Sequence, residues 1–499
     1  MSRTLLRYTW LLKAAALYRV LLVLAIISLG KYIVVSWQQL VFPVDLLHES
    51  PVWNTALLMH KGLNIYSAKI YDSPPFNLNI YTPLYFATVS SMPGFSTMSL
   101  TIGRAVSLLF TIGALSLLIF TFESKGRMIW GLIGIGWLAL FEPVLTNGAI
   151  FRMDFMALFF SACAIASIRK QPVTDSSTIL SAVFSFLTLM SKQSYVAAPL
   201  SCFIYLFLKN RRQAFRFATV AAFLLGISVY LLDRWSDGGF IWSTLIATKN
   251  PLSLELFVAN LEKMATPAFI TLLGLSALTF YWVVQRRRKD VEGTHPGLLN
   301  AIYFLTAWLW LFASIGKLGA DINYFIEPLY ASVWLLFTSV DHEDGRWVDS
   351  KAWRFALAIL VVSFAWTGFA ARHEPGYVLA PFEHHPDRFQ KIKAEIQGLK
   401  TSERPKVLNI VEPHHALSVG WDLYLNDPYL YSILWHAGTL SNRALLETID
   451  RRFFDVIVLA KGSHRESFSD PSLHALYKRI FDGYEVKTEA TFAYLVSRR

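Results

Sequence analysis

The feature that most constrains this 499-residue chain is its series of apolar runs. A helix needs roughly 20 apolar residues to cross the hydrocarbon core of a bilayer. By that ruler the sequence offers about eleven spans: 14–36, 104–123, 128–147, 154–168, 177–191, 194–208, 215–232, 267–285, 299–315, 324–340 and 353–371. Composition agrees, with 16% of residues charged and 54% hydrophobic, where a soluble domain carries about a quarter charged. A disordered chain is excluded, and a water-soluble enzyme is a poor fit. The expected fold is an α-helical polytopic membrane protein.

The basic residues orient it. With the N-terminus in the cytoplasm, the inner segments hold nineteen Lys and Arg: Arg3, Arg7, Lys13, Arg19, Lys125, Arg127, Arg169, Lys170, Lys209, Arg211, Arg212, Arg216, Arg286, Arg287, Arg288, Lys289, Arg346, Lys351 and Arg354. The outer segments, longer in total, hold nine. Short loops rich in Lys and Arg stay inside, so this asymmetry fixes the orientation and explains the net charge of +11 without a nucleic-acid partner. The first span contains Lys31 and is followed by Trp37-Gln38-Gln39 with no small-residue cleavage pattern. It reads as an anchor, not a cleaved signal.

Eleven spans put the C-terminus outside, and from residue 372 the apolar runs shorten and charges become dense. Short β-branched runs, Val407–Val411 and Val456–Leu459, alternate with helix-like stretches, Asp387–Leu399 and Arg443–Arg452. That pattern predicts a membrane domain over 1–371 and a small extracytoplasmic α/β domain over 372–499. The domain suits acceptor binding or bracing of the loops beneath it. Its adjacent pairs His384-His385 and His414-His415 lack a spaced third ligand, and Cys163 and Cys202 lie in apolar runs, so no zinc site is encoded. No internal repeat is visible, which weighs against a transporter built from repeated halves.

Ionisable groups at membrane depth are costly and so are candidate functional residues. The first outer loop, 38–103, opens with Asp45 and Glu49, four residues apart and on one helix face if helical. The pair suits a general base with an auxiliary acid; the plainer alternative is a solvated helix start. Tyr81-Thr82-Pro83-Leu84-Tyr85-Phe86 comes next, an aromatic segment suited to the membrane interface. Arg104 sits at the mouth of the second span, Arg152 and Asp154 at the outer end of the fourth, Lys192-Gln193 between the fifth and sixth, and Lys317, Asp321, Asn323 and Tyr324 before the tenth. Arg152 and Asp154 could simply pair with each other. Taken as a set, all these groups fall on the outer side. Fixed cations there suit a phosphate, and carboxylates opposite suit removal of a proton from a hydroxyl or a divalent cation. Together they describe a phosphate leaving a lipid carrier as a hydroxyl attacks.

These motifs, in this order, resemble the GT-C superfamily of integral membrane glycosyltransferases: Asp45 and Glu49, Gly62 with Tyr66, Tyr81 to Tyr85, Gly103-Arg104, Arg152-Met153-Asp154, Lys192-Gln193 and Lys317 to Phe325. The resemblance covers most of residues 1–340 and is closest to the bacterial aminoarabinose-transferase and protein O-mannosyltransferase branch. It implies a polyprenyl-phosphate sugar donor, undecaprenyl phosphate in bacteria, and inverting transfer at the periplasmic face to a lipid or glycan acceptor. It further implies Asp45 as base, with Glu49 auxiliary although the family's second acid usually follows the first directly. Arg104 and Lys192 match positions that hold the donor phosphate, and Gln193, Tyr81, Tyr85, Lys317, Asn323 and Tyr324 match substrate-pocket positions. Asp154 matches an acid that orients the acceptor or, with Asp45, binds a divalent cation such as Mg or Mn. Trp308, Trp310 and Trp334 could line a prenyl groove or simply pack. A flippase for a lipid-linked sugar and an oligosaccharide ligase are the competing readings.

Overall fold

The computed structural model describes residues 3–42, 49–95, 100–120, 125–169, 172–289, 297–339, 358–366, 422–459, 471–489 and 492–497, with short pieces between 391 and 417. Its first half runs α1 (Arg3–Val41), α2 (Ser50–His60), α3 (Ala68–Tyr71), α4 (Leu84–Ser90), α5 (Thr101–Phe120), α6 (Lys125–Leu138), α7 (Glu142–Asn147), α8 (Asp154–Ser167) and α9 (Asp175–Ser191). It continues with α10 (Ala197–Lys209), α11 (Arg211–Trp235), α12 (Gly239–Ile241), a π-turn at Trp242–Ile246, α13 (Leu254–Met264), α14 (Pro267–Lys289), α15 (Gly297–Ser314), a 3-10 turn at Ile322–Phe325 and α16 (Ile326–Ser339).

Each expected span contains described helix, the last of them only over 358–366. Among the described residues α1, α5, α11, α14 and α15 are long and apolar enough to cross a membrane, and α6, α8, α9 and α10 are shorter apolar helices. The expected third span, 128–147, is broken. Phe141 is extended and Pro143 occupies the first turn of α7, because proline lacks a backbone donor and its ring clashes with the carbonyl four residues back, so α6 cannot run on through it. Elsewhere caps set the ends. The Thr174 hydroxyl accepts from Ser177 N–H to start α9, and the Asn210 side chain accepts from Arg212 and Gln213 N–H, which starts α11 four residues before the expected 215.

Burial sorts the helices. Of the 25 residues of α11 only Gln213, Ala214 and Phe217 are buried, and Phe223, Ile227, Leu231 and Trp235 lie bare, a surface that only lipid can solvate. In contrast Leu329, Tyr330, Val333, Trp334 and Phe337 bury α16 in the centre of the bundle. Trp334 is enclosed there, and Trp308 donates its indole N–H to Ser332 Oγ at 3.0 Å, so both are packing residues and not prenyl-groove lining. Helices α8 and α9 pack through small residues, with Ser181 Oγ donating to Ala164 O at 2.9 Å, the close approach that helix pairs in lipid favour.

The α/β domain is a five-stranded sheet of order β2-β1-β3-β5-β4, built from β1 (Val407–Asn409), β2 (Leu423–Tyr424), β3 (Val456–Leu459), β4 (Tyr484–Glu489) and β5 (Ala493–Ser497), with α17 (Pro428–His436), α18 (Arg443–Asp450) and α19 (Pro471–Gly483). Strands β1, β2 and β3 are parallel, while β5 runs antiparallel to both β3 and β4. Central β3 is buried on both faces, which is why Val456–Leu459 reads as a continuous apolar run and not as an alternation. The expected strand Val407–Val411 ends at Asn409, and the histidine pairs at 384–385 and 414–415 and the expected boundary at 372 lie outside the described residues.

This domain is bolted to the segment between α3 and α4. Asn426 accepts from Leu78 N–H at 2.7 Å and donates to Leu78 O at 3.0 Å, Leu425 N–H donates to Pro75 O at 2.9 Å, and Tyr71, Phe76 and Leu78 share an apolar cluster with Leu425, Leu430 and Ile457. Asn426 is fully buried, so Asn426→Ala leaves both Leu78 backbone groups unsatisfied. The expected cost is about 1–3 kcal/mol, read as a lower thermal midpoint of the purified protein.

Candidate active site

The antiparallel pair α8–α9 brings two charges together. Asp154 starts α8 and Lys192 comes directly after the last residue of α9, each at the helix end whose dipole favours its sign. Lys192 Nζ lies 2.6 Å from Asp154 Oδ1, with Lys192 4% and Asp154 1% exposed. The expected local partner, Arg152, is thereby replaced. Asn323 Nδ2, delivered by the 3-10 turn before α16, donates to the same Asp154 oxygen at 3.1 Å. Oδ2 of Asp154 is buried and has no partner among the described residues. Around the ammonium stand the rings of Tyr81, Tyr195 and Tyr324, 5.6–5.9 Å from Nζ, close enough for cation–π attraction. Gln193 donates to Ile80 O at 2.6 Å and to Thr244 O at 3.3 Å, tying the first loop to the π-turn; its Oε1 is unpartnered.

Tyr81 is held from behind. Its carbonyl accepts from Tyr66 OH at 2.8 Å and from Asn79 Nδ2 at 3.2 Å. Burial pushes the Tyr66 phenol well above its usual range, so it stays protonated as that donor. Asn79 lies between the Leu78 that Asn426 grips and the Ile80 that Gln193 grips. The α/β domain thus fixes the strap that carries Tyr81.

A second buried pair lies beside this cluster, and it corrects two expectations. Arg104 and Glu49 are both fully enclosed and form a two-pronged ion pair, Nε to Oε1 at 2.9 Å and Nη2 to Oε2. Arg104 Nη1 also donates to Gln39 O at 2.8 Å and to Phe42 O, while Glu49 Oε1 accepts from Phe151 N–H at 2.5 Å. With these donors engaged and no surface, Arg104 is not free to hold a phosphate, and Glu49 is neither a solvated helix start nor an auxiliary acid. The pair locks the end of α1 and the start of α2 to α5 and to the turn before α8. Close packing requires Gly103 beside it, because a Cβ there would run into the Phe151 ring.

Tyr85 is corrected in the same way. It is fully buried and its hydroxyl meets Gly103 O at 3.1 Å and Ser107 Oγ at 2.6 Å, so the aromatic segment Tyr81 to Phe86 is an internal brace, with Tyr81 alone turned to the site. Lys317 does not join the cluster; its loop forms a bridge with Leu252, and Asp321 pairs with Lys263 at 3.0 Å on the surface. Asp45 lies outside the described residues. Among the described residues no three His, Cys, Asp or Glu converge as metal ligands. Asp154 offers one free oxygen beside a lysine, which by itself does not fit a divalent cation.

Sequence reading missed Tyr195 and Glu327. Tyr195 carries no signal beyond its closeness to Lys192. Glu327 does: it is an acid inside the tenth apolar run, three residues after Tyr324.

The fold has solved counterparts. ArnT from Cupriavidus metallidurans bound to undecaprenyl phosphate superposes with a TM-score of 0.60 at 11% identity, covering 95% of this chain and 97% of that one. The same enzyme in its apo state gives 0.62 at 10%, covering 94% and 97%. The chain has the fold of ArnT. It is a multi-pass membrane protein of that architecture with a C-terminal α/β domain. No family model matches the sequence, and no curated protein matches it. The likeness is therefore one of fold, spanning the bundle and the α/β domain together.

Proposed function

We propose that this chain is an inverting glycosyltransferase. It moves a hexose or pentose from a polyprenyl phosphate, undecaprenyl phosphate in a bacterium, to a hydroxyl of a lipid, lipopolysaccharide or other envelope glycan at the periplasmic face of the inner membrane. What supports the reading is the buried Lys192–Asp154–Asn323 cluster under Tyr81 and Tyr324, at one end of a helical bundle with the GT-C fold. The ArnT of that fold binds undecaprenyl phosphate.

In this reading Asp45 takes the proton of the acceptor hydroxyl. The oxygen attacks the anomeric carbon opposite the phosphate, and the bond from that carbon to the phosphate oxygen breaks, its electron pair leaving with the phosphate. Negative charge grows on the phosphate as the bond breaks, and a fixed cation stabilises that charge more than it stabilises the bound donor. Lys192 is the buried cation of the site, and Asp154 and the three tyrosines keep it there. Inversion requires no covalent intermediate, so the site needs a base and a cation and no nucleophile.

The test is sugar transfer by the purified protein in detergent, from undecaprenyl-phosphate sugars to a membrane-lipid extract. Asp45→Asn is expected to lower transfer by about 10²–10⁴-fold while leaving thermal unfolding and donor binding unchanged. Full activity in that variant removes Asp45 from the role of base. A wild type that binds donor but transfers none of the sugars overturns the transferase reading in favour of a flippase.

A further inference from the structure

Glu327 stands in the first turn of α16, 5% exposed, in a run that is otherwise apolar. A carboxylate at such a depth is expensive and is retained where it has a task. Tyr303 OH donates to Oε1 at 3.3 Å, and Ala198 N–H and the Ser161 hydroxyl also lie within reach of the carboxyl, which has room for about four donors. Glu327 also lines a cavity of about 20 Å³ whose other walls include Lys192, Tyr195, Asn323 and Tyr324, the residues grouped around Asp154, with Trp310 of α15. That volume takes one water-sized group. The Tyr195 hydroxyl, buried and within electrostatic reach of both Asp154 and Glu327, has no hydrogen-bond partner among the described residues. Lys192 and Asn323 of the site thus share a small cavity with Glu327 and Tyr195.

We infer that this pocket receives one hydrogen-bond-donating substituent, a hydroxyl or an amine, of the sugar being transferred, and that Glu327 and Tyr195 determine which sugar is accepted. The substituent donates to the Glu327 carboxylate, and the Tyr195 hydroxyl pairs with the same group. The inference rests on the glycosyltransferase reading and deepens it. A sugar lacking that substituent would forfeit those hydrogen bonds on binding, and a site built to hydrogen-bond a substituent rejects the analogue without it more strongly than an apolar contact can.

The experiment compares transfer from undecaprenyl-phosphate-linked glucose, galactose, mannose and arabinose, and from singly deoxygenated forms of whichever is used best, by wild type, Glu327→Gln and Tyr195→Phe. Wild type is expected to reject one deoxygenated donor by about 10²-fold or more in kcat/KM. Glu327→Gln lowers kcat/KM for the parent sugar by a similar factor and leaves that one deoxygenated donor nearly unchanged, so the discrimination collapses. Tyr195→Phe removes a single oxygen and gives the same pattern if Glu327→Gln does not fold. If either folded variant lowers every donor by the same factor, the pocket holds only structural water and the inference is overturned while the transferase reading stands. A wild type that transfers no sugar at all overturns that reading, and this inference with it.

Discussion

Lys192→Met is expected to abolish sugar transfer and to destabilise the protein at the same time. The substitution leaves Asp154 buried, with Asn323 as its remaining partner and no cation. Breaking one side of a buried ion pair costs about 3–5 kcal/mol, enough to shift the thermal midpoint by many degrees. A lost site cation costs catalysis about 10²–10³-fold in kcat. The two effects separate in the double variant Lys192→Met with Asp154→Asn, which removes both charges. Thermal unfolding should recover most of the loss because no unpaired charge remains, whereas transfer should stay as low as in Lys192→Met. Recovery of transfer along with stability would make the pair purely structural, and the cation would then have to come from elsewhere.

The second large effect belongs to Glu49 and Arg104. Glu49→Gln is expected to destabilise by about 3–5 kcal/mol, since Arg104 is fully enclosed and loses the charge it faces. In contrast to the Lys192 pair, neutralising both partners should restore little. Arg104 also donates to the Gln39 and Phe42 carbonyls, so Arg104→Met leaves these two backbone acceptors at the end of α1 unsatisfied even when Glu49→Gln has removed the opposing charge. Yield and thermal midpoint in detergent measure this directly. A double variant as stable as wild type would show that the pair does not hold α1, α5 and the turn before α8 together.

Both predictions depend on contacts between residues 38 to 169 positions apart, and that separation marks how far the sequence could be read. Lys192 and Asp154 were legible as out-of-place charges, but their partnership was not. The nearest opposite charge to Asp154 in sequence is Arg152, and the packing of α8 against α9 gave the place to Lys192 instead. Arg104 and Glu49 carried the same signal of charge near a membrane, yet one pair adjoins the polar pocket and the other is sealed. Nothing in residue type or spacing distinguishes them. Glu327 was legible too, as an acid in an apolar run, but its meaning came from the cavity it shares with Tyr195 and Asn323.

The sequence alone determined the features that arise from local physics. Runs of apolar residues had to become helices in lipid, because no other open structure satisfies its own backbone there. Caps at Thr174 and Asn210 and the proline at 143 set helix ends by acting on neighbours a few residues away, although the apolar runs by themselves had placed an unbroken span over 128–147 and a start at 215. The short β-branched run Val456–Leu459 reads as a strand, and the sheet order puts it at the centre. Only the tertiary structure decided which charges are spent on one another, that Tyr85 braces while Tyr81 faces the site, and that Asn426 of the α/β domain grips the strap bearing Tyr81. Each of those outcomes is a competition among several partners of similar chemistry. Burial settles it, because a buried polar group must pair with whatever the packing of distant segments brings within reach.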